Sequence, residues 1–153
     1  MLTVTRQQPI LLVEDSPEDC EAIWRALGKA GVQNPLIHCV DGDDALDFLY
    51  HRGVYAYRSQ TLPPGLILLD LHLPGTDGYE VLAQIKQDAD LCTIPVVVLT
   101  TSCAGRDIEA CYAVGANSYI TKPVHAAGFR QAIQRLTDYW FEVVTLPQEE
   151  RTP

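Results

Sequence analysis

Short runs of apolar residues recur along the chain, and the clearest is the run 66–69, which reads Leu-Ile-Leu-Leu. It lies between Gly65 and a Leu-Pro-Gly turn at 73–75. An unbroken apolar run of this length is typical of a strand buried on both faces, as at the centre of a parallel sheet. Comparable runs predict four further strands, at 10–13, 36–40, 94–99 and 117–121.

Segments with apolar residues at helical spacing alternate with these strands. Ser16 is a favourable N-cap for the first helix, Pro17 suits its first position, and Asp77 is placed to cap the third. Gly115 ends the fourth helix. We therefore predict helices that open at 16, 41 and 77, and two more over about 106–114 and 125–141.

This alternation of five strands with five helices predicts an α/β fold. Helices would cover both faces of a doubly wound parallel sheet, through right-handed connections. The predicted domain occupies 9–141, after an N-terminal extension at 1–8 and before a C-terminal tail at 142–153. The connection 53–65 is rich in Tyr, Pro and Gly, and its pattern predicts no function.

The charge of the chain narrows the classes of partner. A net charge of −9 over 153 residues argues against binding to nucleic acid or to an anionic membrane surface, but it permits a metal cation or a basic protein partner. No apolar run is long enough to span a membrane, and the first residues lack a signal-peptide pattern. Five cysteines without Cys-x-x-Cys spacing predict a reduced, cytoplasmic chain.

Polar residues follow several of the predicted strands directly. Glu14 and Asp15 end the first strand, Asp70 the third, Thr100 the fourth and Lys122 the fifth. Parallel strands end at one edge of their sheet, so we expect these groups to lie together. Three carboxylates there would repel one another unless a divalent cation such as Mg²⁺ offsets their charge. A lysine and a hydroxyl beside a nucleophilic carboxylate are the equipment of phosphoryl transfer.

Four motifs in this order resemble the receiver domain of two-component response regulators. They are Leu-Leu-Val-Glu-Asp at 11–15, Leu-Leu-Asp-Leu-His-Leu-Pro-Gly-Thr-Asp-Gly at 68–78, the strand 95–100, and Gly-Ala-Asn-Ser-Tyr-Ile-Thr-Lys-Pro at 115–123. The resemblance covers about 9–141, nearly the whole chain. It implies a flavodoxin-like receiver fold with strand order 2-1-3-4-5.

The resemblance also implies a role for each residue at the edge. Asp70 would accept a phosphoryl group from a sensor histidine kinase, and Lys122 would pair with that group. Mg²⁺ would be held by Glu14, Asp15, Asp70 and the main-chain carbonyl of His72. Thr100 and Tyr119 would form a switch that changes the face of the fourth helix, fifth strand and fifth helix. The chain would then be a phosphoacceptor supporting its own Mg²⁺-dependent phosphorylation and dephosphorylation, and not a dedicated enzyme.

Two further expectations come from the resemblance. The Lys122–Pro123 bond would be cis, which would turn Lys122 toward the acidic edge. The aromatic ending at 139–147, with the tyrosine-bearing loop before Pro63, is similar to stand-alone regulators of cyanobacterial phytochromes. That similarity implies a phytochrome as the kinase and a homodimer. The dimer interface would include Tyr139, Phe141, Val143, Val144 and Leu146; the alternative is a tail folded back on its own domain.

Other functions on a similar fold fit the sequence less well. A dedicated phosphatase of the haloacid dehalogenase type needs a second acid two residues after its nucleophile, where this chain has His72. A flavin-binding fold cradles phosphate after its first strand, where Glu14 and Asp15 would repel it. A phosphorylation-independent adaptor is the remaining alternative, and loss of the acid pair, the aspartate or the lysine would have indicated it.

Overall fold

A central parallel sheet is formed by five short apolar strands. A computed structural model of the chain describes residues 8–57 and 62–145. All neighbouring strands pair parallel in the order β2-β1-β3-β4-β5, which confirms the predicted order. The strands are β1 (Ile10–Val13), β2 (Leu36–Cys39), β3 (Leu66–Leu69), β4 (Val96–Thr100) and β5 (Ser118–Thr121).

Four α-helices connect the strands and a fifth follows β5, and the predicted caps open three of the five. Ser16 Oγ accepts from the amide of Asp19, Asp41 from that of Asp44, and Asp77 from that of Glu80. None of the helices in 8–57 and 62–145 combines the length and apolar character needed to cross a bilayer. The helices are α1 (Pro17–Lys29), α2 (Gly42–Leu49), α3 (Gly78–Gln87), α4 (Gly105–Val114) and α5 (Ala126–Asp138).

The helices divide into two layers, one on each face of the sheet. Side chains of β3 alternate between them. Ile67 packs in the layer of α2, α3 and α4 (the α2–α4 layer), whereas Leu68 packs in the layer formed by α1 and α5 alone (the α1–α5 layer). Every residue of β1 and β3 is therefore buried. This is the physical reason why both strands read as unbroken apolar runs, since neither has a face turned to water.

The fifth helix ends earlier than predicted. Its α-helical part stops at Asp138, and Tyr139–Val143 forms one π-helical turn closed by a hydrogen bond from Val144 N to Tyr139 O of 2.9 Å. The wider turn lets Trp140 pack with Phe129, Ile133 and Leu136 in the α1–α5 layer. An apolar periodicity alone does not distinguish a π turn from a continuing α-helix, so the predicted helix ran too far.

The expected cis bond between Lys122 and Pro123 is wrong, because the peptide bonds of the described residues are all trans. The amide of Lys122 donates to Thr100 O at 2.7 Å and so continues the pairing of β5 with β4 one residue further. From that backbone position the lysine side chain reaches the acidic edge without a sharper turn. The trans form is also the preferred state of such bonds.

Candidate functional site

The carboxyl ends of β1 and β3 bring three carboxylates together. Glu14 and Asp15 follow β1, Asp70 follows β3, and the two strands pair with Val13 beside Leu69. One oxygen from each acid lies within 4.8 Å of the others. Glu14 and Asp70 are buried, while Asp15 is exposed. Carboxylate oxygens that leave room for water are the ligands that Mg²⁺ and Mn²⁺ prefer, so these residues fit a divalent cation.

Lys122 stands at the end of β5 and reaches across the edge of the sheet into this acidic cluster. Its Nζ donates to Glu14 Oε2 at 2.6 Å, to Asp19 Oδ2 at 2.8 Å and to Asp70 Oδ2 at 3.1 Å. A lysine ammonium has three N–H donors, so each donor has one carboxylate partner. The buried positive charge is thereby fixed beside the carboxylate of Asp70.

The two buried acids differ in their ionisation. Burial raises the pKa of Glu14 to about 7; the hydrogen bond from Lys122 opposes this rise and the charge of Asp70 adds to it. Burial acts on the pKa of Asp70 in the same direction, but the charge of Lys122 and the amide of His72 outweigh it and hold that pKa below its usual value. Asp70 is therefore ionised at neutral pH, as a nucleophile must be.

The hydroxyl of Thr100 is, among the residues that the structure describes, an unpaired hydrogen-bond donor at the site. Its Oγ1 is a buried side-chain oxygen without a hydrogen-bond partner in the described part of the chain. It also adds to the groups that lower the pKa of Asp70 against the effect of burial. Leaving a buried hydroxyl unpaired costs free energy. An acceptor oxygen added to Asp70 could pair with it and remove this cost.

The loop after Asp70 is held tightly from two sides. A Cβ at Gly78 would lie 2.0 Å from the Asp70 carbonyl oxygen, and one at Gly42 would lie 1.9 Å from the Thr76 carbonyl oxygen. Only glycine allows both close approaches. The hydroxyl of Thr76 also donates to Asp43 Oδ1 at 2.5 Å. These contacts fix the segment that carries the main-chain carbonyl of His72, the residue whose amide donates to Asp70 Oδ1 at 3.1 Å.

Tyr119 connects β5 to the loop that follows Thr100. Its hydroxyl donates to the carbonyl oxygen of Ser102 at 2.9 Å, and its ring packs against the α2–α4 layer. The hydroxyl of Ser102 in turn donates to Asp107 Oδ2 at 2.5 Å, at the start of α4. The predicted switch residue is therefore tied to the loop between β4 and α4.

A surface cavity of about 650 Å³ adjoins the acidic cluster between the loop after β3 and α4. Asp15, His72 and Asp107 contribute its polar lining, and Tyr79 and Pro74 contribute apolar surface. The exposed carboxylate of Asp15 thus faces open space, so small solutes can reach this side of the cluster.

The predicted interface residues of the tail have mixed exposure. Tyr139 and Val143 are 54% and 65% exposed, whereas Phe141 and Val144 pack partly against the α1–α5 layer. Part of the tail therefore folds back on its own domain, which was the alternative left open by the sequence. Leu146 lies outside the described residues, as do positions 1–7 of the predicted extension.

One residue of the cluster was missed by sequence reasoning. The sequence pattern gives Asp19 no part in the site, yet its carboxylate accepts a hydrogen bond from Lys122. A usable signal was present, because α1 starts directly after the Glu14–Asp15 pair and its first turn must lie over the same edge. Deciding which first-turn acid points inward required the geometry of the helix start.

Sequence and structure comparisons agree with this arrangement. A family model described as the response regulator receiver domain matches residues 10–134. Response regulator Rcp1 of Synechocystis sp. is 44% identical over 138 residues, which cover 90% of this chain and 92% of that protein. The probable methanogenesis regulatory protein FilR2 of Methanothrix harundinacea is 40% identical over 132 residues, covering 86% of this chain and 82% of that protein.

Two solved structures have the same architecture over almost their whole length. The crystal structure of the Mn²⁺-bound form of response regulator Rcp1 has a TM-score of 0.86 at 43% identity, covering 92% of this chain and 99% of that one. The crystal structure of the phosphorylated cyanobacterial phytochrome response regulator RcpA also has a TM-score of 0.86, at 41% identity, covering 93% and 99%. Because the family match includes all five strands and the acidic edge they form, this chain belongs to the family of response regulator receiver domains.

Proposed function

We propose that this receiver accepts a phosphoryl group on Asp70 from a sensor histidine kinase. An oxygen of the ionised Asp70 carboxylate attacks phosphorus as the P–N bond of the kinase phosphohistidine breaks. The electron pair of that bond stays on the imidazole nitrogen, and an acyl phosphate forms on Asp70. The observation that carries the proposal is the lowered pKa of a buried carboxylate held 3.1 Å from the ammonium of Lys122.

The neighbouring residues support this step by charge and by placement. We assign Glu14, Asp15, Asp70 and the carbonyl of His72 to Mg²⁺, which supplies charge neutralisation for the phosphoryl oxygens when bound. Lys122 pairs with one phosphoryl oxygen as a point charge. In this proposal the chain is a phosphoacceptor that supports its own phosphorylation and dephosphorylation, and not a dedicated enzyme.

The unpaired hydroxyl of Thr100 is the proposed sensor of the phosphoryl group. An acyl phosphate on Asp70 adds acceptor oxygens, and the hydroxyl turns toward one of them. Movement of Thr100 then alters the following loop, to which the Tyr119 hydroxyl is bonded through Ser102 O. The switch therefore acts on the face formed by α4, β5 and α5.

The kinase partner we propose is a phytochrome. The support is the likeness to RcpA, a cyanobacterial phytochrome response regulator, which extends over 93% of this chain. The proposal places the chain in the cytoplasm, where the five free thiols would remain reduced. Acceptance of phosphoryl groups from a kinase requires no nucleic acid or membrane, and the net charge of −9 disfavours both.

We further propose a homodimer through the α4–β5–α5 face and the tail. Large apolar side chains of α4 and of the π turn after α5 are about half exposed or more: Tyr112 of α4, and Tyr139 and Val143 of the π turn. Exposed apolar side chains favour association between copies. Sedimentation equilibrium at micromolar concentration should give a dimer that Tyr139→Glu and Val143→Asp weaken. Val54→Asp, at a residue 82% exposed elsewhere, is the matched control, and a monomeric wild type would refute the dimer.

Phosphorylation itself is tested with acetyl phosphate. The wild type should gain the mass of one phosphoryl group with Mg²⁺ and none with a chelator, as intact mass measures. Asp70→Asn should gain none, because an amide is not a nucleophile for phosphorus. Asp90→Asn makes the same change at an exposed residue and should label like the wild type. Labelling of Asp70→Asn at the wild-type rate would contradict the proposal.

A further inference from the structure

Asp19 is the third partner of the lysine at the site, and it differs from the other two. Its Oδ2 lies 2.8 Å from Lys122 Nζ, closer than Asp70 Oδ2 at 3.1 Å. It does not belong to the group of carboxylates within 4.8 Å of one another. The side chain is 39% exposed, whereas those of Glu14 and Lys122 are 2% and 5% exposed. Asp19 therefore contacts the lysine from the solvent side, away from the metal-binding oxygens.

The start of α1 places this carboxylate over the edge of the sheet. Ser16 N donates to Glu14 Oε1 at 3.1 Å, and Asp19 N donates to Ser16 Oγ at 3.3 Å. Pro17 occupies the first helical position. The backbone at residue 19 is thus connected to Glu14 by two successive hydrogen bonds, which fix where the Asp19 side chain leaves the helix.

The helix dipole alone does not explain this residue. Glu18 lies in the same first turn and carries the same charge, and it is fully available to favour the positive end of the helix. Only Asp19 of the two has its carboxylate on the ammonium of Lys122. Among the influences that raise the pKa of Lys122 against the effect of burial, the hydrogen bond to Asp19 is the largest.

We propose that Asp19 is a positioning residue that orients the Lys122 ammonium for phosphoryl transfer to Asp70. This inference rests on the proposed function and adds a residue to it. When Glu14 and Asp70 are engaged with the cation and the phosphoryl group, Asp19 remains as the carboxylate partner of the lysine. It holds one N–H and thereby directs the other two toward Asp70.

The test compares phosphorylation rates with acetyl phosphate and saturating Mg²⁺. Asp19→Ala should lower the rate by about tenfold, the effect of a misplaced catalytic group at the mild end of its range. Asp19→Asn keeps an oxygen acceptor and should recover part of that loss. Glu18→Ala, the matched control, should react like the wild type. Equal slowing by Asp19→Ala and Glu18→Ala would overturn the proposal, and so would a wild-type rate for Asp19→Ala.

A double-mutant cycle separates positioning from a general effect on the helix. In a Lys122→Gln background, Asp19→Ala should change the rate no further, because the group it orients is gone. A similar loss in both backgrounds would overturn the inference. The ¹⁵N resonance of Lys122 Nζ gives a second readout, which should shift in Asp19→Ala and not in Glu18→Ala. If wild-type Asp70 does not react at all, the proposed function fails, whereas normal wild-type labelling with an indifferent Asp19 refutes only this inference.

Discussion

The bodies of β1 and β3 differ sharply from their carboxyl ends. The four residues of each strand are apolar and at most 1% exposed. Successive residues pack alternately in the two helix layers. One residue further, Glu14 and Asp70 are also buried, yet they carry carboxylates that repel each other. The strands thus combine a stabilising body with ends whose charges oppose burial. Such strain at a site is typical of groups retained for chemistry and not for stability.

A substitution in the body of a strand should reduce stability the most. Ile67 is fully buried at the centre of the sheet, so Ile67→Ala should lower the free energy of unfolding by about 2–5 kcal/mol. Urea unfolding followed by circular dichroism measures this. The folded variant should still gain a phosphoryl group on Asp70, because its acidic cluster is unchanged. A loss below about 1 kcal/mol would mean that the body is less tightly packed than described.

Replacing the buried acid at the end of β1 should instead raise the free energy of unfolding. Glu14 has a folded-state pKa of about 7 against an ordinary value of 4.5, so the folded protein binds more protons in that interval. Without metal, wild-type stability should therefore fall as pH rises from about 4.5 to about 7 and stay low above it. Glu14→Gln should remove this fall and be more stable at pH 8 by about 1–3 kcal/mol.

The Glu14→Gln experiment has a control variant, and the stability comparison is repeated with Mg²⁺. Glu109→Gln, at an exposed position of α4, should leave the pH dependence unchanged. Saturating Mg²⁺ should stabilise the wild type above pH 7 and stabilise Glu14→Gln less, since one ligand is weakened. If Glu14→Gln is less stable than the wild type at pH 8 without metal, the ends of the strands are not strained as we describe.

A smaller effect on stability is expected where the site meets the face formed by α4, β5 and α5. Tyr119→Phe removes the hydrogen bond to Ser102 O and keeps the ring, so the unfolding free energy should fall by about 1 kcal/mol. Phosphorylation of Asp70 should persist, while the chemical shifts of α4 should respond less to it. An unchanged response of α4 in this variant would remove Tyr119 from the switch.

The sequence predicted the bodies of the strands better than the contacts at their ends. The run at 66–69 and the acid that follows it identify a central strand and a site, because burial on both faces leaves a plain pattern. The partner role of Asp19 depends on how α1 leaves the edge of the sheet, which a pattern does not specify. The π turn at Tyr139–Val143 likewise depends on tertiary contacts. The trans bond after Lys122 is the preferred form, and the cis expectation came from the resemblance alone.

Among the three clustered acids, Asp70 should be the one that forms the acyl phosphate. Sodium borohydride reduces an acyl phosphate to an alcohol, which converts a phosphorylated aspartate to homoserine. After reaction with acetyl phosphate and Mg²⁺, peptide mass spectrometry should find homoserine at position 70 and an unchanged aspartate at position 15. A reduced residue at Asp15 or Glu14, or no reduced residue in a protein that has gained phosphoryl mass, would contradict the account.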